Sequence, residues 1–207
     1  MSTLENGYNV TPTDVVLARH YYPLLVQIAQ TKTVTTYADF VDMAKTKYPD
    51  VPEIQSAIPV STGRRLAHVR RFTAKHNLPD LSAWITGATG KAGDAFLAVF
   101  DPRKEQEDCE GVNWPEYEDH FEDYIKELNK STLRIRRRKL DEALLIMNQY
   151  AKKIRPTLEK HIPNPKKIRY SSLVQPYREP LLELLQEGFS VEEAFRTAIF
   201  ENVSTPN

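Results

Sequence analysis

The feature that most constrains the fold is a change of hydrophobic period near residue 78. Before it, apolar residues recur at helical spacing in three stretches. After it come two short apolar segments of β-compatible residues, LSAWIT (81–86) and DAFLAVF (94–100), on either side of the glycine-rich GATGKAG (87–93). Such a pair predicts a β-hairpin. Three helices followed by a hairpin are the element order of a winged helix-turn-helix, which we expect over residues 11–101.

Capping residues predict where the helices of this region begin. Thr11-Pro12-Thr13-Asp14 places a hydroxyl, a proline and a carboxylate at the spacing of a helix start, and 35–39 (TTYAD) repeats the hydroxyl and the acid. Ser61 and Thr62 offer a cap for the third helix, which we expect to end near Asn77. Residues 48–60 contain three prolines and predict a loop.

The second half of the chain also predicts helices, so the expected fold class is mainly α. A long helical stretch opens at Asn113-Trp114-Pro115-Glu116 and breaks near 129–132. Residues 162–172 predict a basic linker, and two last helices, about 178–187 and 191–201, flank Gly188-Phe189-Ser190. We therefore expect an acidic linker over 102–112 and a helical domain over 113–207.

Charge is separated along the chain although the total is zero, with 28 basic and 28 acidic residues. Residues 101–130 hold four basic and eleven acidic side chains, and residues 131–170 hold twelve basic and three acidic ones. Opposed blocks of this kind predict separate charged surfaces. A neutral total therefore excludes neither a nucleic-acid partner nor a protein partner.

Several classes of protein are disfavoured. No apolar run approaches the roughly 18 residues of a membrane helix, and no secretory signal is visible at the N-terminus. The single cysteine, Cys109, excludes an internal disulfide framework and a thiolate-rich zinc site. We expect a cytoplasmic location, on the nucleoid if the source is bacterial.

The third helix carries the main functional signal. At 100° per residue, one arc holds Leu66, Val69, Phe72, Thr73 and His76, and the opposite arc holds Arg64, His68, Arg71 and Lys75. Residues 63–77 contain five Arg or Lys and no acid, which favours contact with DNA over an ordinary solvated face. Lys91, at the tip of the expected hairpin, fits a wing that touches the DNA backbone.

Three segments, TVTTYADFVDMA (33–44), GRRLAHV (63–69) and NLPDLSAWITGATGKAGDAF (77–96), resemble the DNA-binding half of alkylguanine-DNA alkyltransferases and alkyltransferase-like proteins. The resemblance implies a winged fold and a DNA groove. It places Arg64 or Arg65 where the family has an arginine that enters the base stack. The family's Pro-Cys-His-Arg active site falls at about residues 82–85, where Ala83 replaces the cysteine, so alkyl transfer is not implied. Trp84, in this position, fits packing better than stacking on an extruded base.

No other constellation of residues indicates catalysis, so we expect no enzyme, no catalytic residue, no cofactor and no metal site. The five histidines show no metal-binding spacing, and no phosphate-binding glycine motif is present. Cys109 stands between Asp108 and Glu110, which oppose the thiolate, and we expect it to be an incidental surface residue.

The densest basic cluster lies at 134–139 and comprises Arg134, Arg136, Arg137, Arg138 and Lys139. Three interpretations stay open: a second phosphate-binding surface, ionic pairing with the acidic segment 105–123, or masking by that segment until nucleic acid competes. The C-terminal helices resemble the opening helices of helix-turn-helix modules in phage and plasmid regulators, and we expect them to form a helical cap or an oligomer contact.

The function predicted from these observations is non-enzymatic binding of double-stranded DNA. The protein would serve as a regulator or accessory factor, with a phage, plasmid or defence system as its setting. The competing hypothesis is a protein–protein interaction module or inhibitor in a nucleoprotein assembly, with the acidic segment 105–127 imitating nucleic acid. A protein partner would then bind through that segment or the C-terminal helices, and a homodimer is a further alternative.

Overall fold

The protein is described here by a computed structural model that defines residues 10–132, 137–162 and 174–200. It is mainly helical, as the sequence predicts. The chain divides into two compact units at residues 133/134. The predicted division at residues 101–113 is therefore wrong, because the segment up to residue 130 packs into the core of the first unit.

The first unit is built from helices, two very short strands and two 3-10 turns. In chain order these are α1 Pro12–Thr31, β1 Thr35–Thr36, α2 Tyr37–Lys47, α3 Pro52–Gln55, α4 Pro59–Lys75, a 3-10 turn Leu81–Trp84, β2 Ile85–Thr86, α5 Asp94–Leu97, α6 Pro102–Glu110, a 3-10 turn Trp114–Tyr117, and α7 Glu118–Lys130.

The predicted starts of the first two helices are confirmed. Thr11 caps α1 and forms a reciprocal capping box with Asp14, while Pro12 occupies the first helical position. Thr36 caps α2 by accepting a hydrogen bond from the backbone of Asp39. Both signals depend on residues only three positions apart, so they operate whatever the rest of the chain does.

The predicted loop and cap before the third helix are partly wrong. Residues 48–60 contain the short helix α3, and α4 begins at Pro59 rather than at Ser61. Proline suits the first turn of a helix because its missing N–H has no intrahelical acceptor there. The hydroxyls of Ser61 and Thr62 instead donate to the carbonyl of Ile58.

The predicted hairpin is wrong. Residues 81–84 form a 3-10 turn because the Asp80 carboxylate accepts from the backbone of Ser82. Ile85–Thr86 then pair in parallel with Thr35–Thr36, in the only strands seen in the described part of the chain. The segment expected as the returning strand contains α5, and Phe96 and Phe100 lie four residues apart with ring centroids separated by 5.2 Å.

The core of the first unit forms around α1. This helix is in contact with α4, with α7 and with the 3-10 turn at 81–84. The centre of the core is aromatic: Tyr22 stacks on Phe121 at 4.0 Å, and Phe72 meets both rings edge-on. Phe72 reaches this cluster from α4, and Phe121 reaches it from α7. This contact places α7 in the first unit.

The expected acidic linker, 102–112, is the helix α6. It holds Cys109 at 2% exposure in the core, so the prediction of a surface cysteine is wrong. The carbonyl of Cys109 accepts a hydrogen bond from the indole of Trp114 at 3.1 Å. Burial first, and neighbouring carboxylates second, raise the pKa of the Cys109 thiol to about 12, which disfavours the nucleophilic thiolate.

The second unit consists of α8 Leu140–Lys153, α9 Arg155–His161, a 3-10 turn Gln175–Tyr177, α10 Arg178–Gln186, α11 Val191–Phe195 and a π-helical turn Arg196–Phe200. The predicted turn between the last helices is confirmed: Gly188 has a φ of 99°, and Ser190 forms a capping box with Glu193. Most of the expected linker 162–172 lies outside the described residues. Nowhere in the described ranges is a helix long and apolar enough to cross a membrane.

We predict that Phe72→Ala destabilises the first unit by about 3–5 kcal/mol, because it leaves a cavity between Tyr22 and Phe121. Both tryptophans of the chain, Trp84 and Trp114, are buried in this unit, so urea unfolding followed by tryptophan fluorescence reports on it directly. Val60→Ala on the same helix is the control, since Val60 is 58% exposed. Equal midpoints for the two variants would contradict this packing.

Candidate nucleic-acid interface

The predicted basic stripe of α4 divides into a buried part and an exposed part. The Arg64 side chain is 10% exposed, Arg65 is fully buried and His68 is 2% exposed. Arg71 is half-buried and Lys75 is exposed. The expectation that all these residues face solvent is therefore wrong for Arg64, Arg65 and His68.

The reason is an acidic residue on α1. Asp14 lies 1% exposed beneath α4, with one carboxylate oxygen 2.5 Å from Nη2 of Arg64 and 3.3 Å from Nε of Arg65. The other oxygen accepts from the backbone N–H and the hydroxyl of Thr11, both at 2.9 Å. One carboxylate therefore caps α1 and holds two arginines of α4.

The charges of this cluster shift the pKa values of its members. Burial alone would raise the pKa of Asp14, but the cations Arg64 and Arg65 outweigh it and the pKa falls below its ordinary value. Burial lowers the pKa of His68 to about 4, against the attraction of Asp14. At neutral pH, Asp14 is therefore a carboxylate and His68 is uncharged.

This geometry affects what the resemblance implies for Arg64 and Arg65. An arginine that enters a base stack has to project from the surface. Arg65 is instead enclosed in the protein, and Arg64 contributes its guanidinium to a buried ion pair. Both residues serve here to attach α4 to α1.

The face of α4 that does reach solvent is narrow and lined by small residues. Gly63 and Ala74 are exposed and Ala67 is half-buried, with Arg71 and Lys75 beside them. Tyr37, the first residue of α2, lies against Gly63: a Cβ at that glycine would be 3.6 Å from the tyrosine hydroxyl. The backbone of α4 is thus accessible along this face.

Lys91 stands in a short closed loop rather than at a hairpin tip. The backbone N–H of Gly87 donates to the carbonyl of Lys91 at 2.8 Å, and that of Gly90 donates to Gly87 at 3.0 Å. Gly90 has a φ of 76°, a conformation that favours glycine. The Lys91 side chain is exposed, as the prediction requires.

The short strand pair connects this loop to the first turns of α4. Gly87 follows β2, β2 pairs with β1, and β1 leads directly into Tyr37, which touches Gly63. The loop that carries Lys91 therefore follows a strand whose partner leads into the tyrosine beside Gly63 of α4.

The positions that correspond to the alkyltransferase active site are part of the core. Ser82, Ala83, Trp84 and Ile85 are all buried. Trp84 is 4% exposed and packs in the hydrophobic core, so the packing interpretation of this residue is confirmed. No group of three or more His, Cys, Asp or Glu that could hold a metal occurs among the residues described.

Sequence reasoning missed Arg70, whose guanidinium contacts the segments before and after the Lys91 loop. The acid in Asp80-Leu81-Ser82 and the four-residue spacing of Phe96 and Phe100 were visible signals. Nothing local relates either of them to residue 70, however, because 10 residues separate Arg70 from Asp80 and 26 separate it from Phe96.

The basic cluster at 134–139 is described only in part, since Arg134 and Arg136 lie outside the described residues. Arg137 and Lys139 are exposed. Arg138 is half-buried, and its Nη1 donates to the carbonyls of Leu185 at 3.0 Å and Phe189 at 2.7 Å. Leu185 lies in the last turn of α10, where its carbonyl also accepts from the backbone of Gly188 at 3.1 Å, and Phe189 follows the helix. Arg138 therefore acts as a C-terminal cap rather than as a free cation.

Several acids of the segment 105–127 are already engaged inside the first unit. Glu122 accepts hydrogen bonds from Nε and Nη2 of Arg19, at 3.0 and 2.7 Å, and Glu110 lies 2.5 Å from the ammonium of Lys32. Glu105 accepts from the backbone of Asp80 at 2.6 Å. Glu116, Glu118 and Asp119 are exposed around the first turn of α7, where negative charge interacts favourably with the helix dipole.

Comparison of the chain with protein-family models, with curated protein sequences and with solved structures finds no match.

We predict that the first unit becomes less stable in acid because of His68. Its pKa is lower in the folded protein, about 4, than the ordinary value near 6.5, so the unfolded chain takes up the proton first. Between pH 7 and 4.5 the free energy of unfolding should fall by roughly 2 kcal/mol from this group. Urea unfolding followed by tryptophan fluorescence at several pH values measures the effect.

The control for that experiment is His68→Gln, which removes the titrating ring. Its unfolding free energy should change less over the same pH interval, whatever its absolute stability. Parallel pH profiles for the variant and the wild type would contradict the assignment to His68.

We predict that Arg138→Met destabilises the end of α10 by about 1.5–3 kcal/mol, because two carbonyls lose a charged donor. Hydrogen exchange of the backbone amides around residues 185–195 should accelerate accordingly. Lys139→Met removes the same charge from an exposed side chain and is the matched control. If both variants exchange at the same rate, Arg138 does not act as this cap.

Proposed function

We propose that the first unit binds double-stranded DNA as a helix-turn-helix domain in which a closed loop takes the place of the wing, related in arrangement to the DNA-binding half of alkylguanine-DNA alkyltransferases. In this proposal α4 enters the major groove, and α2 precedes it as the supporting helix. The packing of α1, α2 and α4 against one another supports this, since all three meet in one core.

The observation that carries the proposal is the accessible face of α4. Its small residues, Gly63, Ala67 and Ala74, allow a close approach of the helix backbone to another molecule, and Arg71 and Lys75 lie beside them. The helix contains no acidic residue to repel a phosphate. Close approach together with cationic donors is what a helix in the major groove requires.

The loop 87–91 supports the same surface. It follows β2, which pairs with the strand that leads into Tyr37, and it presents the exposed Lys91. In place of the hairpin wing predicted from the sequence, we propose this closed loop as the second point of contact with the DNA backbone.

The set of contacts proposed here is smaller than the predicted one. Arg71, Lys75 and Lys91 are retained as DNA contacts. Arg64, Arg65 and His68 are assigned to holding α4 against α1. Arg137 and Lys139 remain exposed cations of the second unit that a DNA backbone could reach. We assign no catalysis to the chain, and we propose a role as a regulator or accessory factor.

A protein partner is the alternative proposal, and the exposed acids Glu116, Glu118 and Asp119 favour it. The same segment also contains Glu105, Glu110 and Glu122, which are engaged within the unit. Many carboxylates of this segment have partners inside the unit. They therefore offer a weaker imitation of nucleic acid than the sequence suggested.

We predict that the triple variant Arg71→Ala, Lys75→Ala, Lys91→Ala binds duplex DNA more weakly than the wild type. Each lost phosphate contact should flatten the plot of log K against log salt by about 0.9, so three should flatten it by roughly 2 to 3. Fluorescence anisotropy with a labelled random duplex, titrated between low and moderate salt, measures both effects.

The matched control is Lys152→Ala, Lys153→Ala, Lys160→Ala, which removes three exposed positive charges from the second unit. If only net charge governs binding, both triple variants should lose affinity equally. The assignment of DNA binding to the α4 surface would then be wrong. If the wild type does not bind duplex DNA, or if its affinity for duplex DNA does not change with salt, the protein-partner alternative is favoured.

A further inference from the structure

We infer that Arg70 is a positioning residue that fixes the Lys91 loop against α4 and does not itself contact DNA. The effect that we expect Arg70 to have on DNA binding rests on the proposed function. The structural basis of the inference is independent of that function: residues on both sides of the loop meet at one guanidinium.

The contacts before the loop are polar and buried. Nε of Arg70 donates to Oδ2 of Asp80, and Nη2 donates to the hydroxyl of Ser82 at 3.0 Å. Asp80 and Ser82 are 3% and 4% exposed. The same carboxylate accepts from the backbone and the hydroxyl of Ser82, so Arg70 holds the 3-10 turn that leads into β2.

The contacts after the loop are aromatic. The guanidinium carbon of Arg70 lies 5.1 Å from the ring centroid of Phe96 and 5.6 Å from that of Phe100. The two rings are 5.2 Å apart, so they form one aromatic surface beside the cation. Cation–π attraction of this kind is strongest where the cation is partly withdrawn from water, and the Arg70 side chain is 21% exposed.

Arg70 therefore anchors both ends of the segment 87–95. The strand pairing at its start involves only two residues on each side, which is too little to fix a loop by itself. A loop with both ends held loses much of its conformational freedom before a ligand arrives. The backbone that carries Lys91 is thereby held before binding, which lowers the ordering cost at that moment.

Lysine cannot replace arginine in this role. The contacts need two N–H donors pointing in different directions within one plane, together with a flat face toward Phe96 and Phe100. A lysine ammonium keeps the charge but lacks the planar fork. Arg70→Lys therefore removes the positioning contacts but keeps the positive charge. A residue that contacted phosphate directly would need only that charge.

The experiment compares wild type, Arg70→Lys and Phe100→Leu, which removes one ring from the aromatic surface. Hydrogen exchange of the backbone amides at 94–100 should accelerate by about tenfold or more in both variants, since the segment is released from α4. Arg19→Lys is the matched control: Arg19 is also held by two donors to a carboxylate, Glu122, in the same unit, and its contacts do not include the loop. Its exchange at 94–100 should equal that of wild type.

The second measurement is a double-mutant cycle on DNA affinity. The factor lost through Lys91→Ala should shrink by about threefold or more in the Arg70→Lys background, because Lys91 is no longer held in place there. Additive losses would make Arg70 independent of Lys91 and overturn the inference. Exchange at 94–100 that is unchanged in both Arg70→Lys and Phe100→Leu would also overturn it. If wild type binds no DNA, the proposed function fails, while the exchange data still decide whether Arg70 fixes the loop.

Discussion

The buried carboxylate of Asp14 sets the rotation of α4 about its own axis. It lies against Arg64 and Arg65 with almost no exposure to water, and leaving such a charge without its partners would be costly. Once these two arginines are directed toward α1, the helical period directs Leu66, Val69 and Phe72 into the core and leaves Gly63, Ala67 and Ala74 outside. The face of α4 that stays exposed is therefore a consequence of this ion pair.

That rotation assigns different tasks to cations that look equivalent along the chain. Arg64 and Arg65 secure α4 to α1, Arg70 secures the loop segment, and Arg138 caps a helix in the second unit. Arginine suits these tasks because its fixed fork of donors can satisfy several acceptors in a confined space. Lys75 and Lys91, by contrast, are exposed. A basic stretch of sequence in this protein thus contains both structural and surface charges, and only burial distinguishes them.

Sequence reasoning succeeded where the deciding contacts are local. The caps at Thr11, Thr36 and Ser190, the left-handed Gly188 and the helix end near residue 130 follow from residues within a few positions of one another. It failed for the segment 94–100, where apolar composition suggested a strand. The four-residue spacing of Phe96 and Phe100 gains its meaning from Arg70, which is distant in sequence. For the candidate site, it identified the exposed Lys75 and Lys91, but it also named Arg64, Arg65 and His68 as DNA contacts although they are largely buried.

The sequence by itself determined that this protein is mainly helical, where α1, α2, α10 and α11 begin, and that one helix carries many cations and no acid. The tertiary structure alone decided which cations are buried, that α6 and α7 belong to the first unit, and that Cys109 lies in its core. The physical reason is the range of the interactions. Capping and helical propensity act within one turn, whereas burial of a charge or a thiol depends on partners that the chain brings together only when it folds.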